Sequence, residues 1–276
     1  MTGTGTAAGR SGRSDALENL ARVGLVAYGV VHLLVAWLAL QLAWGGGGQP
    51  ADQSGALGTL AATSVGKPLL WVLAIGLVAL ALWQAAEVLR WRYGWSASGE
   101  LRTKAVTKSV KALAKAVVYV VLAVTAFRFA TGAGQSSAAQ QQQTAAGVFG
   151  WPGGRWLVGA AGLVVIGIGV HHVLKGVRQS FVDEIDLAAA PPAARRTVTR
   201  LGQVGYPAKG VAFGVVGALL VYAAVTVDPA KVSGLDGAMR TILEAPFGKA
   251  LLTLVAVGIA AFGVFCFVRA RYPERT

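Results

Sequence analysis

Residues Val23–Ala43 read VGLVAYGVVHLLVAWLALQLA, 21 residues without an Asp, Glu, Lys or Arg. A helix rises ~1.5 Å per residue, so this stretch reaches ~30 Å, the hydrocarbon thickness of a bilayer. Five more stretches resemble it. Pro68–Ala86 and Trp156–Leu174 each run 19 residues without a charge. Gly205–Val227 carries Lys209 near its start, and Ala250–Val268 carries no charge. The least apolar is Ala112–Thr131, whose uncharged part, Ala116–Phe127, lies between Lys115 and Arg128. Those two side chains must snorkel for it to span. The expectation is an all-α integral membrane bundle of six transmembrane helices.

Composition agrees. The 276 residues are 55% hydrophobic and 13% charged, against about 25% charged in a soluble domain. A net charge of +13 in a soluble chain would point to nucleic acid. Here the apolar residues come in blocks, so the basic residues read as topogenic and as facing anionic lipid; no nucleic-acid partner is expected. A lone cysteine, Cys266, excludes an intrachain disulfide and a CxxC pair.

With six spans, nineteen Lys and Arg fall on the side of the termini and five on the other, with Arg128 at the end of the third span. The positive-inside rule then puts both termini in the cytoplasm. Residues 1–14 are expected to form a disordered tail. Residues 15–95, 100–182 and 197–275 each hold two spans. Between spans, Ala56–Leu60 suggests a short helical turn, and Gly132–Ala146, with Gln140–Gln143, reads as mobile low complexity.

The three two-span segments are related. Laid over one another, the odd spans align Tyr28 with Lys115 and Lys209, Gly29 with Ala116 and Gly210, and His32 with Tyr119 and Phe213. The even spans align Gly66, Gly154 and Gly248, each followed by a base. Further along, Trp83 meets His171 and Phe265, Gln84 meets His172 and Cys266, and Glu87 meets Lys175 and Arg269. Each copy starts and ends on one side, so the hairpins are parallel repeats about an axis along the membrane normal, with a pseudo-threefold arrangement expected.

The odd-span starts, Lys115-Ala-Val-Val-Tyr119 and Lys209-Gly-Val-Ala-Phe213, and the Gly-Lys/Arg starts of the even spans resemble the bacterial membrane family called domain of unknown function 1206, over Leu20–Tyr272. The resemblance implies a six-span inner-membrane protein and transfers no catalytic residue. Tyr28 departs from a position that is often basic in that family.

Several polar groups stand in apolar context. Glu87, Lys175 and Arg269 are equivalent in the repeat and would form an ion-paired ring if the hairpins share an axis; Glu87 also has Arg90 at i+3. Lys115 and Lys209, with Tyr28, are candidates for a lipid-headgroup or anion contact, set against simple snorkelling. His32, Tyr119, Gln84, His171 and His172 are the polar side chains to place in the interior. No cofactor is expected. His32 lies about 15 Å and His171 about 6 Å from the nearest basic end, too different in depth for a shared haem. No carboxylate stands at helical spacing from His32 to make a zinc site. No nucleophile, phosphate-loop or dinucleotide motif occurs, so a non-enzymatic scaffold or accessory subunit is the leading expectation, a small transporter or channel the alternative.

Overall fold

The computed structural model describes residues 5–46, 48–96, 98–185 and 191–272, with 5–21, 93, 183 and 184 described by backbone course alone. Nine α-helices carry these residues: α1 Gly5–Ala43, α2 Gln53–Ala61, α3 Gly66–Trp91, α4 Glu100–Ala130, α5 Ser137–Phe149, α6 Gly154–Val177, α7 Pro192–Thr226, α8 Gly234–Glu244 and α9 Gly248–Arg271. Six of them, α1, α3, α4, α6, α7 and α9, are long and apolar enough to cross a membrane. This is the all-α, six-span architecture read from the sequence.

Three elements differ from expectation. The first helix begins at Gly5, inside the stretch expected to be a tail, because extending a formed helix costs far less than nucleating one. Residues 1–4 lie outside the described residues. The stretch expected to be mobile, Gly132–Ala146, holds most of α5. There the Ser136 side chain accepts a hydrogen bond from Ala139 N at 3.2 Å, which caps the helix. Ala and Gln are good helix formers, and Ala145 is buried beside Ala223 and Val232. The third element, α8, has an apolar stripe of Leu235, Ala238, Met239, Ile242 and Leu243 at helical spacing, unread in the sequence.

The chain forms two compact units: Met1–Ala56 with Ser136–Thr276, and Leu57–Gln135. In the first, α1 packs on α9, α6 on α7, and α7 on α9. In the second, α3 packs on α4. One rule covers the main pairs: the second span of one repeat packs antiparallel on the first span of the next, and α9 packs on α1.

Small residues make these pairings possible. A methyl group added at Gly169 would sit 2.7 Å from the Gly210 carbonyl oxygen and 2.9 Å from Gly214 N. One added at Gly29 would sit 2.8 Å from the Gly263 carbonyl oxygen. Carbon needs about 3.5 Å, so only glycine lets these backbones touch. The Gly210–Gly214 pair thus serves the approach of α6. Gly29–Gly263 and Gly210–Gly169 are equivalent in the repeat, and the third equivalent, Ala116 and Ala81, lines the cleft between α4 and α3. Seven residues on, about two turns, the pattern recurs: Gly217 against Gly162, Ala36 and Ala256 in one core, Ala123 and Ala74 on the α3–α4 cleft. A small residue every seven on both antiparallel helices is the seam of a close helix pair. With alanine in place of glycine, α3 and α4 leave an apolar cleft of about 530 Å³, with Trp71 and Phe127 edge to face at 5.3 Å.

At the end of the first unit away from Arg195 and Arg200, a cap of short elements closes the helices. Asp236 Oδ1 accepts from Ala51 N at 2.8 Å, and its Oδ2 accepts from Arg240 Nε at 2.8 Å. Asp52 Oδ1 accepts from Ser54 N and from Gly55 N, at 2.8 and 3.1 Å, and so caps α2. Ser54 Oγ accepts from Ser137 N at 3.0 Å. These bonds tie the start of α2 to α5 and α8, and they lower Gln53 onto the site described next.

Candidate functional site

The site forms where α1, α7 and α9 meet. Gly29 brings α1 onto α9, and this contact places Tyr28, one residue earlier, against α7. Lys209 Nζ donates a hydrogen bond to Tyr28 Oη. The same ammonium stands 4.4 Å from the Phe262 ring centre, 4.9 Å from that of Tyr28 and 5.7 Å from that of Phe213. Such contacts stabilise by about 0.5–2 kcal/mol each, most where water is excluded. Two residues the repeat aligns, Tyr28 and Lys209, are therefore bonded to each other. Lys115, the third, lies on α4 in the other unit, exposed.

His32 stacks edge-on against Tyr28, ring centres 4.2 Å apart, and lies 5.0 Å from Phe262. Its Nδ1 is 2.8 Å from the Tyr28 carbonyl oxygen. A carbonyl only accepts, so Nδ1 carries a proton and donates it there. His172 repeats this geometry, with Nδ1 2.8 Å from the Ile168 carbonyl oxygen and its ring 5.7 Å from Phe213 and 5.9 Å from Tyr206. His171 points away, exposed, 6.1 Å from His172. Lys175 stands over Tyr206 at 4.9 Å. Around this aromatic cluster Phe181, Phe265 and Cys266 are buried together.

Beside Lys209 lies a small, mainly apolar cavity of about 50 Å³. Tyr28, His32, Gln53 and Lys209 supply its polar groups, and Val35, Phe213 and Ile259 are among its apolar walls. Gln53, exposed at the start of α2, was not singled out in the sequence, because nothing in its local pattern places it beside Lys209.

In the other unit, Glu87 accepts hydrogen bonds from Arg90 Nη2 and Trp91 Nε1, at 2.8 and 2.7 Å. It is thus engaged within its own helix. Gln84 and Tyr119, on α3 and α4, are half-buried, as is Arg269 on α9. Sequence reasoning also missed the buried acids Asp52 and Asp236. The signal was present: Asp52 stands directly before Gln53-Ser54, an N-cap position. Among the described residues no three of His, Cys, Asp and Glu gather as a metal site.

Near the other end of the unit, Arg195, Arg196 and Arg200 line an open groove of about 430 Å³ with Gln179, Thr199 and Gln203. They share one face of the first turns of α7, whose opposite face buries Val198 and Gly202.

Comparison with known proteins fits this geometry. No solved structure matches the chain. An uncharacterized protein of Bacillus subtilis (strain 168), YxxB, is 29% identical over 260 residues, covering 94% of this chain and 92% of that protein. The family model described as Domain of Unknown Function (DUF1206) matches three times, at residues 23–90, 110–179 and 204–273. Each match takes in one odd and one even span, so the repeat read from the spans is the family's own unit, and the chain belongs to the DUF1206 family.

Proposed function

We propose that this protein is a non-enzymatic scaffold or accessory subunit of the bacterial inner membrane, with both termini in the cytoplasm. It works through helix contacts with a membrane-protein partner and through headgroup contacts with anionic lipid. The observation that carries this reading is the small-residue seam. Helices that touch along Gly and Ala form rigid pairs with packed interfaces, and the cavity they leave beside Lys209 is about 50 Å³, room for a few waters. The arginine groove supports the lipid half of the reading, since guanidinium groups suit phosphate oxygens.

The test is purification of the tagged protein from native membranes in mild detergent, with quantification of co-purified protein and lipid. The reading expects a stoichiometric membrane-protein partner and retained anionic phospholipid. Arg196→Gln with Arg200→Gln should lose most of that lipid. Equal lipid retention in the double variant, together with no partner, overturns the reading.

A second reading, a small transporter or channel, draws support from the few polar groups that line the cavity. Its discriminating measurement is ion or solute flux in proteoliposomes above that of empty vesicles.

A further inference from the structure

Lys209 stands half-buried within an apolar span, and no carboxylate lines the cavity beside it. Of the described acids nearest in the fold, Asp236 is engaged by Arg240 and Ala51 N, and Asp52 caps α2. Aromatic faces offset part of the charge, and a half-buried cation with no carboxylate beside it still gains from a counter-charge.

The donors around the cavity are unevenly used. Tyr28 Oη accepts from Lys209, so its own O–H proton is free to point elsewhere. Lys209 has three N–H donors, and the Tyr28 bond uses one of them. Gln53 brings a side-chain amide with two donors. Ammonium, phenol and amide donors therefore face one small space, alongside the acceptors Gln53 Oε1 and His32 Nε2. The space suits an occupant no larger than a few waters.

We propose that this cavity binds a small monovalent anion of halide size, held by Lys209 Nζ with Tyr28 Oη–H and the Gln53 amide. At about 50 Å³ the cavity favours a halide over the larger sulfate, phosphate or lipid phosphate. The proposal is independent of the scaffold reading.

The test is chloride NMR line broadening on the full-length protein in detergent, with gluconate as the background anion. The wild type is expected to broaden the chloride line beyond detergent alone. Bromide and nitrate should reverse the broadening; sulfate at equal ionic strength should not. Lys209→Met should reduce the broadening to the detergent level and Lys209→Arg should retain part of it. Lys249→Met, which removes a charge outside the site, should retain all of it. Should Lys209→Met fail to fold, Tyr28→Phe serves in its place and should weaken chloride binding. No broadening by the wild type would mean that the cavity holds water only. Equal broadening by Lys209→Met, or reversal by sulfate, would place chloride on the general basic surface. Each of these outcomes overturns the proposal.

Discussion

At the residue scale, Lys209 and Tyr28 form one unit. A charged hydrogen bond contributes more than a neutral one, and leaving one partner unmatched costs more than removing both. Tyr28→Phe should therefore lower stability in detergent by about 1–2 kcal/mol. Tyr28→Phe combined with Lys209→Met should recover most of that loss. Thermal melting of the two single variants and the double checks this, and strict additivity would show that the pair is not coupled. Glu87 is the contrasting case. It bonds Arg90 and Trp91 in its own helix, and exposed pairs add little. Glu87→Gln should leave melting unchanged; a clear drop would show the carboxylate acting beyond its helix, in a ring with Lys175 and Arg269. The site was half legible in the sequence. Aligning the repeats put Tyr28 and Lys209 at one position, and charge in an apolar run marked Lys209. Gln53 and Phe262 left no trace, because their place depends on how the cap folds in and how α9 meets α1. Asp52 carried an N-cap signal, whereas Asp236, in the first turn of α8, looks solvated until the helix is seen to pack on Ala51.

At the element scale, the seam is the feature most exposed to test. Gly169 and Gly210 meet backbone to backbone. A side chain there forces α6 and α7 apart, and overpacking a tight interface costs about 1–3 kcal/mol or more. Gly169→Leu should lower the melting temperature clearly. Gly167→Leu, two residues away and facing open space, should leave it near wild type. Equal melting of the two would mean that the helices do not meet on the Gly169 face. The seven-residue repeat of Gly and Ala was obscured because glycine and alanine are common throughout the chain. The six spans were legible because length and absence of charge suffice to define them. The short helices α5 and α8 were not, since the Gln run of α5 shows no apolar period and α8 spans only three turns.

At the scale of the whole molecule, three family repeats alternate with one pairing rule, the second span of a repeat on the first of the next. The lopsided distribution of Lys and Arg predicts the orientation. In a Cys266→Ala background, a cysteine replacing Lys249 should react with a membrane-impermeant maleimide on intact cells. One replacing Arg196 should react only after permeabilisation. The reverse pattern would invert the topology and remove the arginine groove from the cytoplasmic leaflet.

On the proposed function, this bundle works by holding a partner and lipid in the membrane. Native mass spectrometry of the tagged protein, released gently from its own membrane, tests it most directly. A complex with one membrane protein at fixed stoichiometry, carrying anionic phospholipid, is expected. The bare chain, free of both partner and lipid, would contradict it.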